Sequence, residues 1–359
     1  MRILVLNWRD LAHPKAGGAE VFTDRISRCW AEQGHDVTWF CAAVDGQPED
    51  SDHDGVRIVR RGTRVSVYRE ARRFYEAAGP GAFDLVLDGV NTRPFLTPRW
   101  VRDSANSALV HQVCREIWWH EAPFPVAVVG RFWLERRWLS AYADVPVLTP
   151  SESSRSSLED YGLRDLTVIH PGIDTEPRAV ERREERPTLV FVGRLSSNKQ
   201  PLHALRAFAR LQREVPDAQL WFIGDGPQRK RLQRRASSGV TFFGRVSEER
   251  KYDLLSRAHL LVVTSVREGW GLVVDEAAAV GTRTIAYDVP GLRDSVPAAG
   301  GTLVHPSPKA LAAGLAEMLP AVVANPPPSG WRGGAVTWEE TASAILSRSV
   351  ARTAPEAAK

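Results

Sequence analysis

The chain is poor in cysteine and lacks any long hydrophobic run. Its three cysteines, Cys29, Cys41 and Cys114, are widely spaced and odd in number, which argues against both a disulfide framework and a cysteine-based zinc site. No stretch approaches the ~18 apolar residues that a membrane-spanning helix needs. The opening segment, MRILVLNWRD, has too few apolar residues for a signal peptide. We therefore expect a cytoplasmic protein.

Two common nucleotide-binding signatures are also missing. The sequence has no G-x-x-x-x-G-K-[ST] motif, which excludes ATPase chemistry of that type. Gly224-Asp225-Gly226 follows a predicted strand, but Arg229 stands where a dinucleotide fingerprint has its third glycine. The run Asp52-His53-Asp54 could bind a divalent cation, yet it lies in a polar loop between predicted strands and is interpreted as surface. We therefore predict no cofactor and no metal site.

The remaining composition is that of a globular protein with two domains. Hydrophobic residues make up 43% and charged residues 25% of the 359 residues, and a chain of this length usually divides into two domains. The net charge of +4 is small for this size. The basic run between Arg229 and Arg235 has no interleaved aromatic residues, so we interpret it as a solvated helix face and predict no nucleic-acid partner.

Short apolar runs alternate with amphipathic helical segments through most of the chain. Such alternation predicts parallel sheets covered by helices on both faces. In the first half, strands are predicted at 3–6, 37–40, 56–59, 83–87, 109–113 and 147–149, and helices at 67–78 and along the apolar stripe of Phe22, Ile26, Cys29 and Trp30. In the second half, strands are predicted at 189–192, 219–223, 240–243, 260–263 and 284–287.

A charged, proline-flanked segment at 175–187 has nothing to bury and marks the predicted domain boundary. We assign residues 1–174 to an N-terminal domain and residues 175–335 to a C-terminal domain. A Pro/Gly-rich hinge precedes a last helix within 336–350, which we assign to the N-terminal domain. The predicted fold is α/β, with two doubly wound, Rossmann-like domains facing each other across a cleft.

Residues 260–283 carry the strongest functional signal. The strand 260–263 leads through a polar loop to the turn Gly269–Gly271, and a helix begins at Leu272. This order forms an anion site, because the unpaired amides and the positive end of the helix dipole face the ligand. Glu268 and Glu276 frame the site, and carboxylates repel phosphate but accept hydrogen bonds from hydroxyls. A phosphate flanked by sugars, as in a nucleotide sugar, satisfies both requirements.

Two further strand ends carry polar side chains suited to such a ligand. Arg194 directly follows a strand, with Lys199 shortly after it, and a guanidinium fork with an ammonium suits a diphosphate leaving group. Such a pair is more often part of a solvated loop, but its position at a strand end favours the functional interpretation. His111 ends a strand of the N-terminal half, where a sugar-contacting group would project, although a single histidine is more often a packed or surface residue.

The segment 115–138 is rich in tryptophan and arginine, with tryptophans at positions 118, 119, 133 and 138. Interleaved aromatic and basic residues can bind a sugar-bearing or lipid-linked acceptor, or contact a membrane surface. Packing in the core or between domains is the more common reason for such a segment. We favour packing and keep acceptor binding and peripheral membrane contact as alternatives.

Taken together, these motifs resemble those of the retaining glycosyltransferases of family 4, which have the GT-B fold. The matching stretches, spread over most of the chain, are Gly17-Gly18-Ala19-Glu20, Gly193-Arg194-Leu195 with Lys199, Ile223-Gly224-Asp225-Gly226-Pro227, Phe243-Gly244-Arg245-Val246, the segment from Glu268 to Glu276, and Gly281-Thr282. One departure is Trp270, which stands where phenylalanine is usual and bears on sugar preference.

The resemblance implies roles for residues of the C-terminal half. Arg194 and Lys199 would hold the diphosphate, and Glu276 would accept hydrogen bonds from the ribose hydroxyls. Glu268 would line the transferred sugar, together with the backbone of Gly269, Trp270, Gly271 and Leu272. Arg245 and Val246 would lie near the base.

The resemblance also implies that residues 1–174 bind the acceptor and that residues 175–335 bind the nucleotide-sugar donor. His111 would contact the sugar, while Gly17 and Gly18 would let the backbone approach the phosphates. Enzymes of this family usually need no metal for catalysis, which agrees with charge neutralisation by an arginine and a lysine.

The predicted activity is transfer of a hexosyl unit, with retention, from a nucleotide diphosphate sugar to a hydroxyl acceptor. A UDP-sugar is favoured as the sugar donor and GDP-mannose comes next. The acceptor would be a lipid-linked glycan, a cell-envelope glycan or a natural product. Two alternatives stay open, namely a sugar-nucleotide epimerase of the same fold and a non-catalytic protein that binds sugar or phosphate.

Overall fold

The computed structural model describes residues 1–173, 183–325 and 336–351. These residues form two compact units. The first consists of Met1–Arg115, Pro125–Gly172 and the described residues from Val336 onward. The second consists of Glu116–Phe124 and the described residues between Ile173 and Ala335.

The strands of the first unit are β1 Arg2–Leu6, β2 Asp36–Cys41, β3 Asp50–His53, β4 Val56–Arg60, β5 Leu85–Val90, β6 Ala105–Val110, β7 Val147–Thr149 and β8 Leu166–Val168. Those of the second unit are β9 Thr188–Val192, β10 Gln219–Ile223, β11 Val240–Gly244, β12 Leu260–Val263, β13 Arg283–Tyr287 and β14 Thr302–Val304. Each predicted strand has an observed counterpart, most within a few residues at the ends. The strand predicted at 109–113 is misplaced, because β6 ends at Val110 and His111 follows it.

The α-helices, in chain order, are α1 Gly18–Glu32, α2 Val67–Ala78, α3 Ile117–Glu121, α4 Phe124–Val129, α5 Glu135–Leu139, α6 Glu152–Glu159, α7 Pro201–Leu211, α8 Arg229–Gln233, α9 Glu248–Arg257, α10 Leu272–Ala279, α11 Leu292–Ala298, α12 Pro308–Ala324 and α13 Trp338–Val350. A π-helical turn, Gly130–Leu134, joins α4 to α5, and short 3-10 turns lie at Thr97–Arg99 and Ser140–Tyr142. Within the described ranges, none of these helices combines the length and apolar character needed to cross a bilayer.

The first unit has an eight-stranded sheet in the order β3-β4-β2-β1-β5-β6-β7-β8. All neighbouring strands are parallel except β3, which pairs antiparallel with β4. The placement of Asp52-His53-Asp54 in a loop is therefore wrong, because Asp52 and His53 belong to β3. This edge strand has no apolar alternation, so its pairing with β4 stabilises it rather than burial of its own side chains.

The second unit has a six-stranded parallel sheet in the order β11-β10-β9-β12-β13-β14. The chain runs outward from β9 to β11 and then returns to place β12 on the other side of β9. The strand order therefore reverses between β9 and β12, and ligands of open α/β sheets bind at the carboxyl ends of the strands at such a point.

Helices cover both sheets with buried apolar stripes, and the stripe of α1 is the one predicted from the sequence. In α1, the stripe of Phe22, Ile26, Cys29 and Trp30 is buried. In α7, the buried stripe consists of Leu202, Leu205, Phe208 and Leu211. The α/β class with two doubly wound, Rossmann-like domains is confirmed.

The C-terminal helix α13 belongs to the first unit. The Trp30 indole donates a hydrogen bond of 2.9 Å to the carbonyl oxygen of Ala342. A side chain at Gly172 would meet the Trp338 backbone nitrogen at 2.4 Å, so only glycine permits this approach.

Most of the predicted linker, residues 174–182, and the Pro/Gly-rich segment 326–335 lie outside the described residues. Arg183 is part-buried, and its guanidinium donates to the carbonyl oxygens of Ala258 and Gly281. The expectation that this charged segment has nothing to bury is therefore wrong at Arg183, whose donors satisfy carbonyls of the second unit.

Candidate functional site

The loops after β9 and β12 meet at one edge of the second unit's sheet. Their strands are parallel neighbours, so their carboxyl ends lie side by side. The Val266 amide donates to the Asn198 carbonyl at 2.9 Å, and the Thr264 hydroxyl donates to the Lys199 carbonyl at 2.8 Å. These bonds bring together the two stretches that the sequence analysis singled out.

The loop after β9 presents Arg194 as an available cation. A side chain at Gly224, after the neighbouring β10, would lie 2.2 Å from the Gly193 carbonyl oxygen, so glycine is required for the two loops to approach. The Arg194 side chain is half-buried. Across residues 1–173, 183–325 and 336–351 it forms no hydrogen bond or ion pair, so its guanidinium is free to bind an anion.

The predicted phosphate lysine and the predicted sugar carboxylate contact each other. The Lys199 ammonium donates a hydrogen bond to Glu268 Oε1. The Ser265 hydroxyl donates to the same oxygen at 2.5 Å. The Glu268 side chain is 13% exposed and that of Lys199 is 30% exposed, so a ligand reaching this loop would meet both groups.

Glycines shape the start of α10. Gly271 precedes the helix in the left-handed region at φ 96°, and none of the described side chains caps the first turn. A side chain at Gly291 would lie 2.2 Å from the Glu268 carbonyl oxygen, so the loop beside α11 can close on Glu268 only because it carries glycine. The uncapped first-turn amides and the positive helix end favour an anion here.

Glu276 is held by a lysine that the sequence analysis missed. The Lys251 ammonium, on α9, lies 2.9 Å from Glu276 Oε1 and donates to Glu248 at 2.7 Å. Burial lowers the pKa of Lys251, but Glu276 and Glu248 outweigh it, so that the net shift is upward. The raised pKa keeps Lys251 charged, and a carboxylate at Glu276 can accept hydrogen bonds from hydroxyls. The capping residue Ser247 could have revealed this helix.

A second missed residue is Asp275, which is buried beside Trp270. The Trp270 indole donates to Asp275 Oδ2 at 2.5 Å. Burial raises the pKa of Asp275 to about 7, the indole hydrogen bond opposes that rise and the Glu276 charge adds to it. The tryptophan that replaces the usual phenylalanine thus has a polar partner for its N–H.

Arg245 and Val246 follow β11 at the outer side of the same edge. Arg245 is exposed, and Val246 packs partly against the core of the second unit. The hydrogen bond from the Gly226 amide has the largest effect on the pKa of nearby Asp225, which it lowers. Arg229 and Arg245 lower that pKa further. The loops after β10 and β11 therefore bring these two predicted base contacts next to the Gly224–Gly226 turn.

Three predicted residues, His111, Gly17 and Gly18, belong to the first unit. His111 follows β6, and its ring packs edge to face on Phe22 at 5.1 Å. Its Nε2 is buried without a hydrogen-bond partner in the described structure. Burial lowers the pKa of His111 to about 4, so the imidazole is neutral near pH 7.

The loop at Gly17 and Gly18 is held by a glutamate of the same motif. The Gly17 amide donates to Glu20 Oε2 at 2.7 Å, and Arg9 lies 2.9 Å from Glu20 Oε1. Glu20 is fully buried, and burial raises its pKa. Glu20 belongs to the Gly17-Gly18-Ala19-Glu20 motif, but the resemblance implied no role for it.

No cluster of three or more potential metal ligands occurs among the residues of the described ranges.

The second unit brings the predicted donor-site residues together at or near one sheet edge. They are Arg194, Lys199, Arg245, Val246, Glu268, Gly269, Trp270, Gly271, Leu272 and Glu276. This set can bind a diphosphate through its cations and amides, and hydroxyl groups through its carboxylates.

Comparisons with known proteins agree with this arrangement. The model for "Glycosyltransferase Family 4" matches residues 16–177, and that for "Glycosyl transferases group 1" matches residues 172–321. A glycogen synthase of Mycobacterium tuberculosis is 28% identical, with 91% of this chain and 87% of the relative covered. A GDP-mannose-dependent alpha-(1-6)-phosphatidylinositol dimannoside mannosyltransferase of the same species is 26% identical, with 83% of each covered.

The solved Anabaena protein Alr3699/HepE, in complex with UDP and glucose, superposes with a TM-score of 0.67 at 16% identity, covering 97% of this chain and 95% of that protein. The fold is that of the GT-B glycosyltransferases. The chain belongs to the group 1 glycosyltransferases of the family 4 type, which transfer a sugar from a nucleotide sugar.

Proposed function

We propose that this glycosyltransferase moves a hexosyl unit from a nucleotide diphosphate sugar to a hydroxyl acceptor, with retention at the anomeric carbon and without a catalytic metal ion. The observation that carries the proposal is the Arg194 guanidinium, which is unpaired among the described residues and shares the loop after β9 with Lys199, together with the uncapped start of α10. Together these groups supply the positive charge that a departing diphosphate needs.

The leaving diphosphate gathers negative charge as its bond to the sugar breaks. Arg194, Lys199 and the first-turn amides of α10 stabilise that charge, and losing one such stabiliser typically costs ~2.7–4 kcal/mol of barrier. Glu276, fixed by Lys251, accepts hydrogen bonds from the ribose hydroxyls. Glu268 faces the transferred sugar, and His111 contacts that sugar from the N-terminal domain.

Retention follows from attack on the same face that the diphosphate leaves. Glu268 is engaged by Lys199 and Ser265, which makes it a poor nucleophile. The acceptor oxygen forms the new bond to the anomeric carbon as the bond to the phosphate breaks. The sugar is oxocarbenium-like in the transition state, and the leaving phosphate takes the acceptor's proton.

We propose a UDP-sugar as the favoured donor, with GDP-mannose as the next candidate. The Anabaena structure holds UDP, and the mannosyltransferase relative is named for GDP-mannose. A thermal-shift screen of nucleotide sugars tests the choice, because a ligand that binds only the folded protein raises its Tm. If neither UDP-sugars nor GDP-mannose raises the Tm, the proposal is contradicted.

The reaction type is tested by proton NMR of the products, with EDTA present. The proposal predicts transfer to an added acceptor and a product that keeps the donor's anomeric configuration. Incubation with the sugar nucleotide alone separates an epimerase, since that enzyme alters the sugar without any acceptor. An inverted product, or activity lost to EDTA, would contradict retention or metal independence respectively.

An exposed apolar surface in the first unit supports a lipid-linked acceptor or peripheral membrane contact. Val126 is 50% exposed, Val129 48%, Phe132 66% and Trp133 58%. The interpretation of 115–138 as packing is therefore wrong for Trp133. Large apolar side chains seldom lie in water as a group unless they bind something.

Basic residues flank this apolar surface. Arg136 and Arg137 are exposed, and the Arg137 guanidinium lies 5.6 Å from the Trp133 ring centroid. Apolar side chains next to arginines suit the boundary between lipid headgroups and acyl chains. We therefore propose residues 126–137 as the site of peripheral membrane contact.

Co-sedimentation with vesicles containing anionic lipid tests this placement. Replacing Phe132 and Trp133 with Ser should abolish most of the binding of the full chain, because buried apolar area is lost. The matched control is Val65→Ser, which removes another apolar residue of the first unit that is 73% exposed. Equal binding by all three proteins, or no binding by the wild type at low salt, would contradict membrane contact.

A further inference from the structure

Three arginines lie at the carboxyl end of the first unit's sheet, outside every motif assigned above. Arg9 follows β1, Arg64 follows β4 and Arg93 follows β5. These strands are parallel, so the loops after them leave the sheet at the same edge. Strand order reverses between β1 and β5, which is where a ligand of a doubly wound sheet binds.

The arginines contact two aromatic rings at this edge. The guanidinium carbon of Arg9 lies 4.4 Å, and that of Arg64 5.7 Å, from the ring centroid of Trp8. The guanidinium carbon of Arg93 lies 4.2 Å from the ring centroid of Tyr68. Flat rings carrying guanidinium groups hold those groups in place and offer apolar faces to a sugar ring.

The charges of all three arginines act on Tyr68, on whose ring Arg93 packs. Burial raises the pKa of the Tyr68 hydroxyl to about 12. The charges of Arg93, Arg64 and Arg9 all oppose this rise, which means that each lies within electrostatic reach of the hydroxyl. The cations thus form one cluster, which we call the arginine cluster (Arg9, Arg64 and Arg93).

Among the described residues, a carboxylate pairs with only one member of this cluster. Arg9 is paired with the buried Glu20. The nearby Asp88 is buried and accepts hydrogen bonds from Tyr142 and Thr97. Arg64 and Arg93 are exposed and form no ion pair in the described part of the chain. Two unpaired guanidinium groups held by rings at a ligand-binding edge favour an anion.

We propose that the arginine cluster binds a phosphate group carried by the acceptor. This rests on the proposed function, in which the N-terminal domain takes the acceptor and Arg194 with Lys199 takes the donor diphosphate. Planar guanidinium forks match phosphate oxygens in pairs. The phosphate belongs either to a soluble sugar phosphate or to the headgroup of a phospholipid, which share this chemistry.

Isothermal titration of the full chain tests the proposal, with glucose 6-phosphate against glucose and inositol phosphate against inositol as probes. Vesicles containing phosphatidylinositol, against neutral vesicles, form the lipid arm. The cluster variant carries Arg64→Ala and Arg93→Ala. The matched control carries Arg72→Ala and Arg73→Ala, two exposed arginines of α2 that are paired with glutamates.

The phosphorylated probe or the phosphatidylinositol vesicle should bind in preference to its neutral counterpart. The cluster variant should weaken that binding about tenfold or more, because charge-assisted hydrogen bonds are lost, whereas the control should not. Stabilisation by the nucleotide sugar should be the same in all three proteins, and this readout tests the proposed function separately.

Equal binding of phosphorylated and neutral probes by the wild type would overturn the proposal. So would a cluster variant that binds phosphate as well as the control does, or one that loses only nucleotide-sugar binding. A wild type that shows a phosphate preference but no nucleotide-sugar stabilisation would leave the cluster intact and refute the proposed donor site instead.

Discussion

Lysines hold both glutamates of the candidate donor site. Lys199 binds Glu268, and Lys251 lies 2.9 Å from Glu276. Among the residues that the structure describes, Arg194 has no such partner, so it is the cation most ready to receive a diphosphate. The residue types were predicted from the sequence, but the pairings were not, since Lys251 and Glu276 lie on helices that only the fold brings together.

Asp275 predicts a pH-dependent stability. Its pKa is raised from 3.8 to about 7 by burial, so the folded state favours the protonated form. This contribution is complete below about pH 4 and is lost as pH rises towards 7. The loss amounts to at most about 4 kcal/mol, since the pKa of Asp275 rises from 3.8 to about 7.

Urea unfolding of wild type and Asp275→Asn between pH 4 and 8 measures this effect. Asparagine keeps an acceptor for the Trp270 indole but does not titrate. The stability of the wild type relative to the variant should therefore fall between about pH 4 and pH 7 and then level off. A difference that stays constant over this range would show that Asp275 is not shifted.

Trp270 and Asp275 should behave as a coupled pair. Trp270→Phe keeps a ring but removes the donor to a buried carboxyl group, which should destabilise the protein by about 1–3 kcal/mol. Adding Asp275→Leu to Trp270→Phe should recover most of that loss, because no polar group is then left unpaired. Additive free energies of unfolding in this double-mutant cycle would contradict the pairing.

At the scale of elements, apolar periodicity was sufficient to predict a strand or helix that buries a regular face. Helix α2 at Val67–Ala78 and strands β10 and β12 have the predicted bounds. Edge strand β3 was missed because its four residues are all polar. Helix α12 was missed too, since it carries Gly314 and Pro320 among alanines and gives no clear stripe.

The loop that contacts Glu268 depends on a glycine. Alanine at Gly291 would adopt φ +84° and place its Cβ 2.2 Å from the Glu268 carbonyl oxygen. Gly300 is the matched control, because its φ is also positive but nothing lies within 4 Å. Gly300→Ala should cost about 1–2 kcal/mol of stability from the backbone alone.

Gly291→Ala should cost a further ~1–3 kcal/mol from the clash and should also weaken nucleotide-sugar binding, since Glu268 must move. Thermal unfolding with and without the sugar nucleotide measures both effects. The same loss of stability in both variants, with unchanged nucleotide-sugar binding, would show that the contact is unimportant.

At the scale of the whole molecule, the order of segments along the chain does not give the membership of each unit. Residues 116–124 belong to the second unit, where Arg267 and Glu116 form an ion pair of 2.9 Å across 151 positions of sequence. The segment 115–138 reads as one Trp/Arg-rich stretch, yet it contributes to both units. Pairings over such separations leave no local pattern, so the sequence could not predict them.

The donor site itself was largely predictable, because a glycine turn between a strand and a helix has a fixed chemical consequence. The arginine cluster was not, because its members are separated by 29 positions or more and meet only at the sheet edge. The same reason hid Lys251 from sequence analysis.

The most direct test of the donor site is the affinity for UDP and GDP, measured by isothermal titration. The proteins compared are wild type, Arg194→Ala with Lys199→Ala, and a control with Arg206→Ala and Arg210→Ala on the exposed face of α7. Circular dichroism establishes that all three are folded.

We expect wild type and control to bind one of the two nucleotides with the same Kd. The Arg194/Lys199 double variant should bind at least about a hundredfold more weakly, because two charge-assisted contacts are lost. A folded double variant with wild-type affinity, or a wild type that binds neither nucleotide, would contradict the account of this site.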